Sequence, residues 1–223
     1  MDGNEDTLGY LIVIIWRDGK LGEGLAQHLG LHPSTLAHLS NITISFPKEV
    51  ALGPIDASKY FKLACKHIQW QRIGSRSAAW YTTNNCTCSY KYSGTTWTPN
   101  TYPKWLVQLT DSVMKICNFQ HNIYPNCVNA NMYSSGSESM GWHSDNERLF
   151  NTTHGETIII SLTLGASSNF LWKRTGDPDS AASTLALGDG DLFITAGNMQ
   201  KFYLHAIKPE VHINDGRVNF TWR

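Results

Sequence analysis

The sequence is short of charge, of cysteine and of long apolar runs, and each shortage excludes a class of protein. Charged residues make up only 16% of the 223 residues, and 18 basic residues balance 18 acidic ones. Proteins that bind duplex DNA by its phosphates usually carry an excess of basic residues, so the balance of charges counts against that class. It leaves room for a local basic patch, a single strand or a different substrate. The 41% hydrophobic share excludes a disordered chain and suits one domain with a substantial core.

Cysteines are too few and too irregularly spaced to predict a structural role. The chain has 5, an odd number without zinc-like spacing, and Cys86 and Cys88 are too close in sequence for a framework disulfide. Reduced thiols predict an intracellular protein, nuclear or cytoplasmic. The apolar run Tyr10–Trp16 is far shorter than a membrane span and lacks the pattern of a signal peptide, so we expect no membrane association and no export signal.

Hydrophobic periodicity predicts helices near the N-terminus and strands after it. We expect a strand at residues 10–16 and helices at residues 20–29, 56–68 and 104–117. From about residue 124, short apolar or alternating runs separated by turn residues predict a sandwich or barrel of strands. These runs are Cys127–Tyr133, Thr157–Leu164, Asn169–Lys173, Ser183–Leu187, Asp191–Thr195, Phe202–Ile207 and Arg217–Arg223.

A pair of potential metal ligands lies in the segment Met140–Glu147. His143 and Asp145 are two residues apart, so on a strand both side chains would project from one face and could converge on one ion. Two histidines and one carboxylate on one face of an octahedron are typical of non-haem Fe(II) oxygenases. His205, in a predicted strand, is the candidate third ligand. The alternatives are an exposed polar pair at a strand end and a buried core histidine.

The last predicted strand carries two arginines on one face. Strict alternation places Arg217, Asn219, Thr221 and Arg223 on one side of it and the apolar residues on the other. The planar fork of arginine binds carboxylates bidentately, so the two ends of this face could hold a short dicarboxylic acid. The alternative is an ordinary edge strand with two solvated arginines.

The order and spacing of these residues resemble those of the AlkB family of Fe(II)- and 2-oxoglutarate-dependent dioxygenases. His143, Asp145 and His205, followed by Arg217 and Arg223, carry the resemblance. The segments Asn131–Tyr133, Thr157–Gly165, Tyr90–Gly94 and Arg217–Arg223 extend it over about residues 45–223. The resemblance implies an α+β fold, a double-stranded β-helix (jelly roll) with an N-terminal layer of helix and strand and a nucleotide-recognition lid. Residues 1–44 would form an N-terminal extension, packed on the core or separate from it.

The resemblance also implies a role for each matching residue. His143, Asp145 and His205 would bind Fe(II), with 2-oxoglutarate and O₂ as cosubstrates. Arg217, Tyr133 and Asn219 would hold the distal carboxylate of 2-oxoglutarate, Arg223 and Asn131 would lie near its chelating end, and Thr221 would line the same pocket. Trp80, Tyr90, Tyr92, Asn146 and Glu147 would contact the substrate base.

The activity that the resemblance implies is oxidative demethylation of N-alkylated bases in DNA or RNA, of the 1-methyladenine or 3-methylcytosine type. The reaction would release formaldehyde, succinate and CO₂, and the partner would be a flipped or single-stranded base bound by a monomer. The same iron chemistry on a protein, a lipid or another modified base is one alternative. A jelly-roll module that binds modified nucleic acid without turnover is another. The Asn146-Glu147 pair departs from the acidic pair that often follows the metal-binding aspartate in the family.

Overall fold

The computed structural model describes residues 11–17, 20–21, 55–83, 86–92, 94–117, 119–150, 158–177, 180–197 and 199–223. Their strands, in chain order, are β1 Leu11–Arg17, β2 Lys20–Leu21, β3 Gln71–Ile73, β4 Arg76–Thr82, β5 Tyr90–Tyr92, β6 Thr95–Trp97, β7 Asn100–Thr101, β8 Cys127–Tyr133, β9 Met140–His143, β10 Ile159–Gly165, β11 Ser168–Arg174, β12 Ser183–Leu187, β13 Leu192–Gly197, β14 Tyr203–Ile207 and β15 Arg217–Trp222.

Most of these strands belong to two antiparallel sheets. The larger sheet has nine strands in the order β2-β1-β13-β10-β15-β8-β4-β3, with β7 paired in parallel to β4. The smaller sheet has the order β12-β11-β14-β9, so β9 is an edge strand, and β5 and β6 form a separate hairpin. Two facing antiparallel sheets with crossovers between distant strands are the architecture of a jelly roll.

Helices cover the outer face of the larger sheet. Helix α1, Ala57–His67, begins where the Asp56 side chain accepts a hydrogen bond from the Lys59 amide at 3.0 Å. Helix α2, Lys104–Ile116, buries an apolar face that includes Leu106, Leu109 and Val113. Both helices pack into one core with the apolar face of the larger sheet. Helix α3, Met199–Phe202, is a single turn before β14.

A second, smaller core lies between the two sheets. Phe193 of the larger sheet packs there with Trp172 and Leu187 of the smaller sheet and with Met199 of α3. Beside this core the space between the sheets opens into a cavity lined by side chains from both sheets. The fold therefore has three layers, helices, large sheet and small sheet, and places a cavity between the last two.

The predicted fold class, with its mixture of helices and antiparallel sheets, is confirmed. All seven predicted strands of the C-terminal part are present, and their ends differ from the predicted ones by at most two residues. The predicted helix at residues 20–29 is wrong for Lys20 and Leu21, which pair with β1 as a strand, and the rest of it lies outside the described residues. Pairing with a neighbouring strand overrides local helical periodicity here.

The first strand belongs to the larger sheet. β1 pairs with β13 over six residues, from Leu11 opposite Gly197 to Trp16 opposite Leu192. Residues 22–54 lie outside the described part of the chain, and the predicted division at residue 44 stays a prediction. No helix among the described residues is both long enough and apolar enough to cross a membrane.

Candidate metal and cosubstrate site

Two neighbouring strands of the smaller sheet bring the predicted metal ligands together. His143 ends β9 and lies directly opposite His205 of β14. Two positions further along β14, Ile207 lies opposite Met140, so Gly141 and Trp142 together face the single residue between His205 and Ile207. This β-bulge shifts the alternation of β9 by one residue. As a result both Met140 and His143 line the cavity.

Asp145 completes the cluster from beyond the strand end. β9 ends at His143, so the prediction that His143 and Asp145 lie on one face of a strand is wrong. A contact other than strand pairing positions Asp145. The backbone amide of Asp145 donates to the side-chain oxygen of Gln200 at 2.8 Å. The carboxylate lies 3.7 Å from Nε2 of His143 and 3.8 Å from Nε2 of His205. One ligand atom from each of the three residues lies within 4.8 Å of the others.

Protonation of the three side chains suits metal binding. Nδ1 of His143 lies 2.8 Å from the carbonyl oxygen of Gly141, and a proton on that nitrogen leaves the Nε2 lone pair for a metal. Burial lowers the pKa of His205 to about 4, so its ring is neutral at pH 7. Burial alone would raise the pKa of Asp145, but Arg223 and the two histidines lower it to about 2, which keeps the carboxylate ionised.

The donor set fits iron(II). Two imidazoles and one carboxylate come together, the donor set of the facial arrangement of non-haem iron oxygenases, which leaves positions open for cosubstrate and oxygen. Gly141 and Gln200 orient the ring of His143 and the backbone of Asp145 from the outside. The residues present are therefore those that this metal requires.

A buried arginine lies in the same cavity. Arg217 is only 5% exposed, and its Nη2 donates to the hydroxyl of Thr163 at 3.1 Å. Its guanidinium carbon lies 5.4 Å from the centre of the Tyr133 ring, while its Nε has no hydrogen-bond partner. Burial lowers the pKa of Arg217, and Tyr133 and Glu210 oppose that effect only in part. A buried guanidinium with an unsatisfied donor is a site for an anionic ligand.

The alternation predicted for the last strand is confirmed. Val218, Phe220 and Trp222 lie in the core under the helices. The opposite face of β15 lines the cavity together with residues of β8, and all six residues predicted to bind the cosubstrate lie there: Asn131, Tyr133, Arg217, Asn219, Thr221 and Arg223. The predicted iron ligands and the predicted cosubstrate residues thus share one cavity.

Arg223 directly contacts Asp145, one of the three predicted metal ligands. Its Nη2 donates to Oδ2 of Asp145 at 2.6 Å, and its Nη1 donates to Glu147 at 3.2 Å and to the hydroxyl of Tyr90 at 3.1 Å. The Tyr90 hydroxyl in turn donates to the other carboxylate oxygen of Glu147 at 2.5 Å. Although burial opposes its charge, these partners raise the pKa of Arg223 above its ordinary value.

Two of the five predicted base-contacting residues are buried against each other. Trp80 and Tyr90 are each 1% exposed and stack with ring centroids 4.4 Å apart and planes 26° apart. A base can therefore lie between these two rings only if they separate. Asn146 is exposed and Glu147 half-buried. Tyr92 belongs to β5, but its side chain lies outside the described residues.

Two buried polar residues of the site carry no signal in the sequence. Arg76 of β4 is 5% exposed, and its Nε donates to the amide oxygen of Asn131 at 2.8 Å. Gln200 holds the backbone of Asp145 and is also 5% exposed. Both belong to segments without a recognisable motif. Only the pairing of β4 with β8, and the position of α3 beside β14, bring them to the site.

Comparison with known families gives a match over most of the chain. The family model described as "2OG-Fe(II) oxygenase superfamily" matches residues 54–223. Among solved structures, OsALKBH1 resembles this fold with a TM-score of 0.50 at 20% identity, over 75% of this chain and 90% of that one. At this identity the similarity supports the fold only.

Curated relatives agree with that family. Alpha-ketoglutarate-dependent dioxygenase alkB homolog 3 is 30% identical in Mus musculus, over 71% of this chain and 58% of the relative. Its Bos taurus counterpart is 28% identical, over 75% and 61%. The DNA oxidative demethylase ALKBH2 of Arabidopsis thaliana is 22% identical, over 74% and 60%. The match covers about three fifths of the length of these relatives. The predicted resemblance to the AlkB family is confirmed.

Proposed function

This chain belongs to the 2OG-Fe(II) oxygenase superfamily, and from that premise we propose that it demethylates N-alkylated bases in DNA or RNA with iron(II), 2-oxoglutarate and O₂. The products are the unmodified base, formaldehyde, succinate and CO₂. One observation carries the proposal: a single cavity holds both the His143, Asp145 and His205 cluster and the buried, incompletely paired Arg217.

The three clustered side chains provide the metal site. His143 and His205 present Nε2 toward Asp145 from neighbouring strands, and the ionised carboxylate offsets the charge of a divalent cation. When bound, iron(II) would let O₂ oxidise 2-oxoglutarate and the N-methyl group together: one oxygen atom would enter succinate, with release of CO₂, and the other would convert the methyl group to a hydroxymethyl group that leaves as formaldehyde. The protein would contribute a fixed ligand geometry.

The cosubstrate binds through charge-assisted hydrogen bonds from the larger sheet. The guanidinium of Arg217 is already buried before the cosubstrate binds. Binding of the distal carboxylate of 2-oxoglutarate to Arg217 therefore adds no further free-energy cost for burying this cation. Tyr133 lies directly opposite Arg217 on β8, and Asn219 is next along the same face of β15. The keto-acid end would then lie nearer to the three predicted metal ligands and Arg223, which line the same cavity.

The proposed substrate is nucleic acid, of which the enzyme binds a flipped or single-stranded base. We propose that it acts as a monomer inside the cell. The names of the relatives support the class of substrate: one is a DNA oxidative demethylase, and the ALKBH1C relative, also from Arabidopsis thaliana, is a DNA N(6)-methyladenine demethylase. The side chains of Glu147 and Tyr90, with the exposed Asn146, lie beside Asp145 where a base would meet the metal. The five cysteines, all free, support an intracellular location.

Mass spectrometry of modified oligonucleotides tests the proposal. Single-stranded and duplex DNA and RNA carrying 1-methyladenine or 3-methylcytosine are incubated with enzyme, iron(II), ascorbate and 2-oxoglutarate. We expect loss of the methyl group from at least one of them, and no loss with the Asp145→Ala variant. Succinate production without a change in any oligonucleotide would favour a protein, a lipid or another modified base as substrate. Failure to bind iron would favour a non-catalytic binding module.

A further inference from the structure

The outer face of the smaller sheet carries an aromatic ring between two lysines. The ammonium of Lys173, on β11, lies 5.0 Å from the centre of the Trp142 ring, and that of Lys208, just after β14, lies 5.8 Å from it. Trp142 is half-buried and Lys208 exposed. We call these three residues the Trp142 patch. Both ammonium groups lie within the range of a cation–π interaction with the ring.

The bulge in β9 explains why this tryptophan lies on the outer face. Met140 and His143 both line the cavity, so the residue just before His143 points the other way. Alternation along β11 agrees, because Trp172 is buried between the sheets beside His205 and its neighbour Lys173 faces outward. The patch is therefore on the reverse side of the strand that carries a metal ligand.

No carboxylate among the described residues pairs with the lysines of the patch. Within the part of the chain that the structure describes, neither Lys173 nor Lys208 forms an ion pair with a carboxylate. The protein as a whole has a formal net charge of zero, with 18 basic and 18 acidic residues. Two ammonium groups without a carboxylate partner in the described part of the chain, beside a partly exposed indole, are thus a local departure from the overall balance. Backbone phosphates would pair with the two lysines, and a base would stack on the indole ring.

Position in the fold connects the patch to the cavity. β9 is an edge strand of the smaller sheet, so a flexible chain that leaves the cavity has to pass only one strand to reach the outer face. A single nucleic-acid strand is flexible enough to follow that path, whereas a base-paired duplex is stiff.

We propose that the Trp142 patch binds nucleotides that flank the target base in single-stranded nucleic acid. The lysines contact backbone phosphates, and the indole stacks on a base outside the cavity. This inference rests on the proposed function, because it takes nucleic acid to be the substrate. It adds a contact that requires no chemistry at the metal and that favours longer single strands over short ones.

The salt dependence of binding tests the two lysines. The probe is a fluorescently labelled, unmodified single-stranded oligonucleotide of about 12 nucleotides, and affinity is measured by anisotropy over a range of salt concentrations. Each phosphate neutralised on a single strand contributes about 0.7 to the slope of log affinity against log salt, so Lys173→Gln with Lys208→Gln should reduce the slope by about 1.4. The control, Lys62→Gln with Lys66→Gln on α1, should leave it unchanged. Equal slopes for the patch variant and the wild-type chain would overturn the proposal.

The stacking role of Trp142 is tested by replacing its ring. Trp142→Ala should weaken binding of the same oligonucleotide by about five-fold or more, the lower limit for a base–aromatic stack, and Trp142→Phe should restore part of it. Iron binding, followed in the same variants, should not change, which separates lost stacking from a displaced His143. If Trp142→Ala bound the oligonucleotide as tightly as the wild-type chain, the stacking role would be excluded.

Turnover of a methylated trinucleotide separates this inference from the proposed function. That substrate has only one nucleotide on each side of the target base to contact the patch, so all patch variants should demethylate it much like the wild-type chain. Demethylation of the trinucleotide with unchanged salt slopes would refute the patch and leave the proposed function intact. Reduced salt slopes without demethylation of any oligonucleotide would support the patch and refute the proposed function.

Discussion

Arg223 donates to the carboxylate of Asp145 at 2.6 Å, so a buried guanidinium contacts a proposed metal ligand directly. The same guanidinium holds Glu147 and the hydroxyl of Tyr90. The Arg223 side chain therefore connects a predicted metal ligand to two residues predicted to contact the base. The contact also keeps Asp145 ionised, because Arg223 is the main influence that lowers its pKa to about 2 against the effect of burial.

Replacement of His143 tests the metal assignment without disturbing that contact. His143 is half-buried, so His143→Ala should abolish iron binding and turnover while changing the free energy of unfolding little. The exposed His212 provides a control, since His212→Ala should alter neither. Iron binding is measured by titration and stability by thermal melting. Iron-dependent succinate production at the wild-type rate in His143→Ala would show that the ligand assignment is wrong.

Asp145 is expected to behave differently because it is buried and paired. Asp145→Ala leaves Arg223 in the interior without its closest partner, and breaking a buried pair in this way costs about 3–5 kcal/mol. Glu147 remains as a second partner and should reduce the cost. We therefore expect loss of turnover together with a measurable fall in melting temperature, and a smaller fall for Asp145→Asn. Equal stability of the wild-type chain and Asp145→Ala would contradict the pairing.

Arg217 should control the 2-oxoglutarate requirement. Hydrogen bonds to charged groups contribute about 1.5–3 kcal/mol, so Arg217→Ala should raise the apparent KM for 2-oxoglutarate by roughly ten-fold or more. Arg217→Lys should restore only part of the loss, because a point charge cannot replace the planar fork. Succinate formation is measured over a 2-oxoglutarate titration. The same KM in Arg217→Ala and the wild-type chain would exclude Arg217 as the cosubstrate anchor.

Tyr90 is predicted to stabilise the fold as well as to border the base site. Its ring is 1% exposed and stacked on Trp80, and truncating a buried aromatic residue costs about 3–5 kcal/mol. In a chain of this length that corresponds to a fall in melting temperature of about 6–20 °C for Tyr90→Ala. Tyr90→Phe keeps the stacked ring and should melt much closer to the wild-type chain. A normal melting temperature for Tyr90→Ala would mean that the ring is free to move and contact a base.

The sequence predicted the parts of this site that depend on local pattern. Alternation along β15 correctly separated the cavity face from the core face. The resemblance to the AlkB family predicted that His143, Asp145 and His205 converge, which they do, although Asp145 lies beyond the end of β9. The β9 bulge and the contacts of Arg76 with Asn131 depend instead on which strands pair and in what register. The stacking of Trp80 on Tyr90 likewise depends on how the β5–β6 hairpin packs against β4. No local pattern encodes such long-range contacts.

Gly165 tests how closely the larger sheet is packed beside the cosubstrate residues. It lies opposite Arg217 with φ +85°, and a Cβ atom there would lie 2.5 Å from the carbonyl oxygen of Gly216 and 2.8 Å from the Phe61 ring. Gly176 has a similar φ of +79° with nothing within 4 Å, so Gly176→Ala measures the backbone strain alone. That strain costs about 1–2 kcal/mol. Gly165→Ala should cost about 1–3 kcal/mol more, measured by denaturant unfolding. Equal losses in the two variants would contradict the close approach.

The central claim, oxidation of a methylated base at this metal site, is tested most directly by measuring succinate and formaldehyde together. The wild-type chain is incubated with iron(II), 2-oxoglutarate and a single-stranded oligonucleotide that carries 1-methyladenine or 3-methylcytosine, or with the same oligonucleotide without the methyl group. We predict that the methylated strand stimulates succinate formation and that formaldehyde appears in matching amount. Equal succinate formation with both strands and no formaldehyde, from a protein that binds iron, would contradict the account.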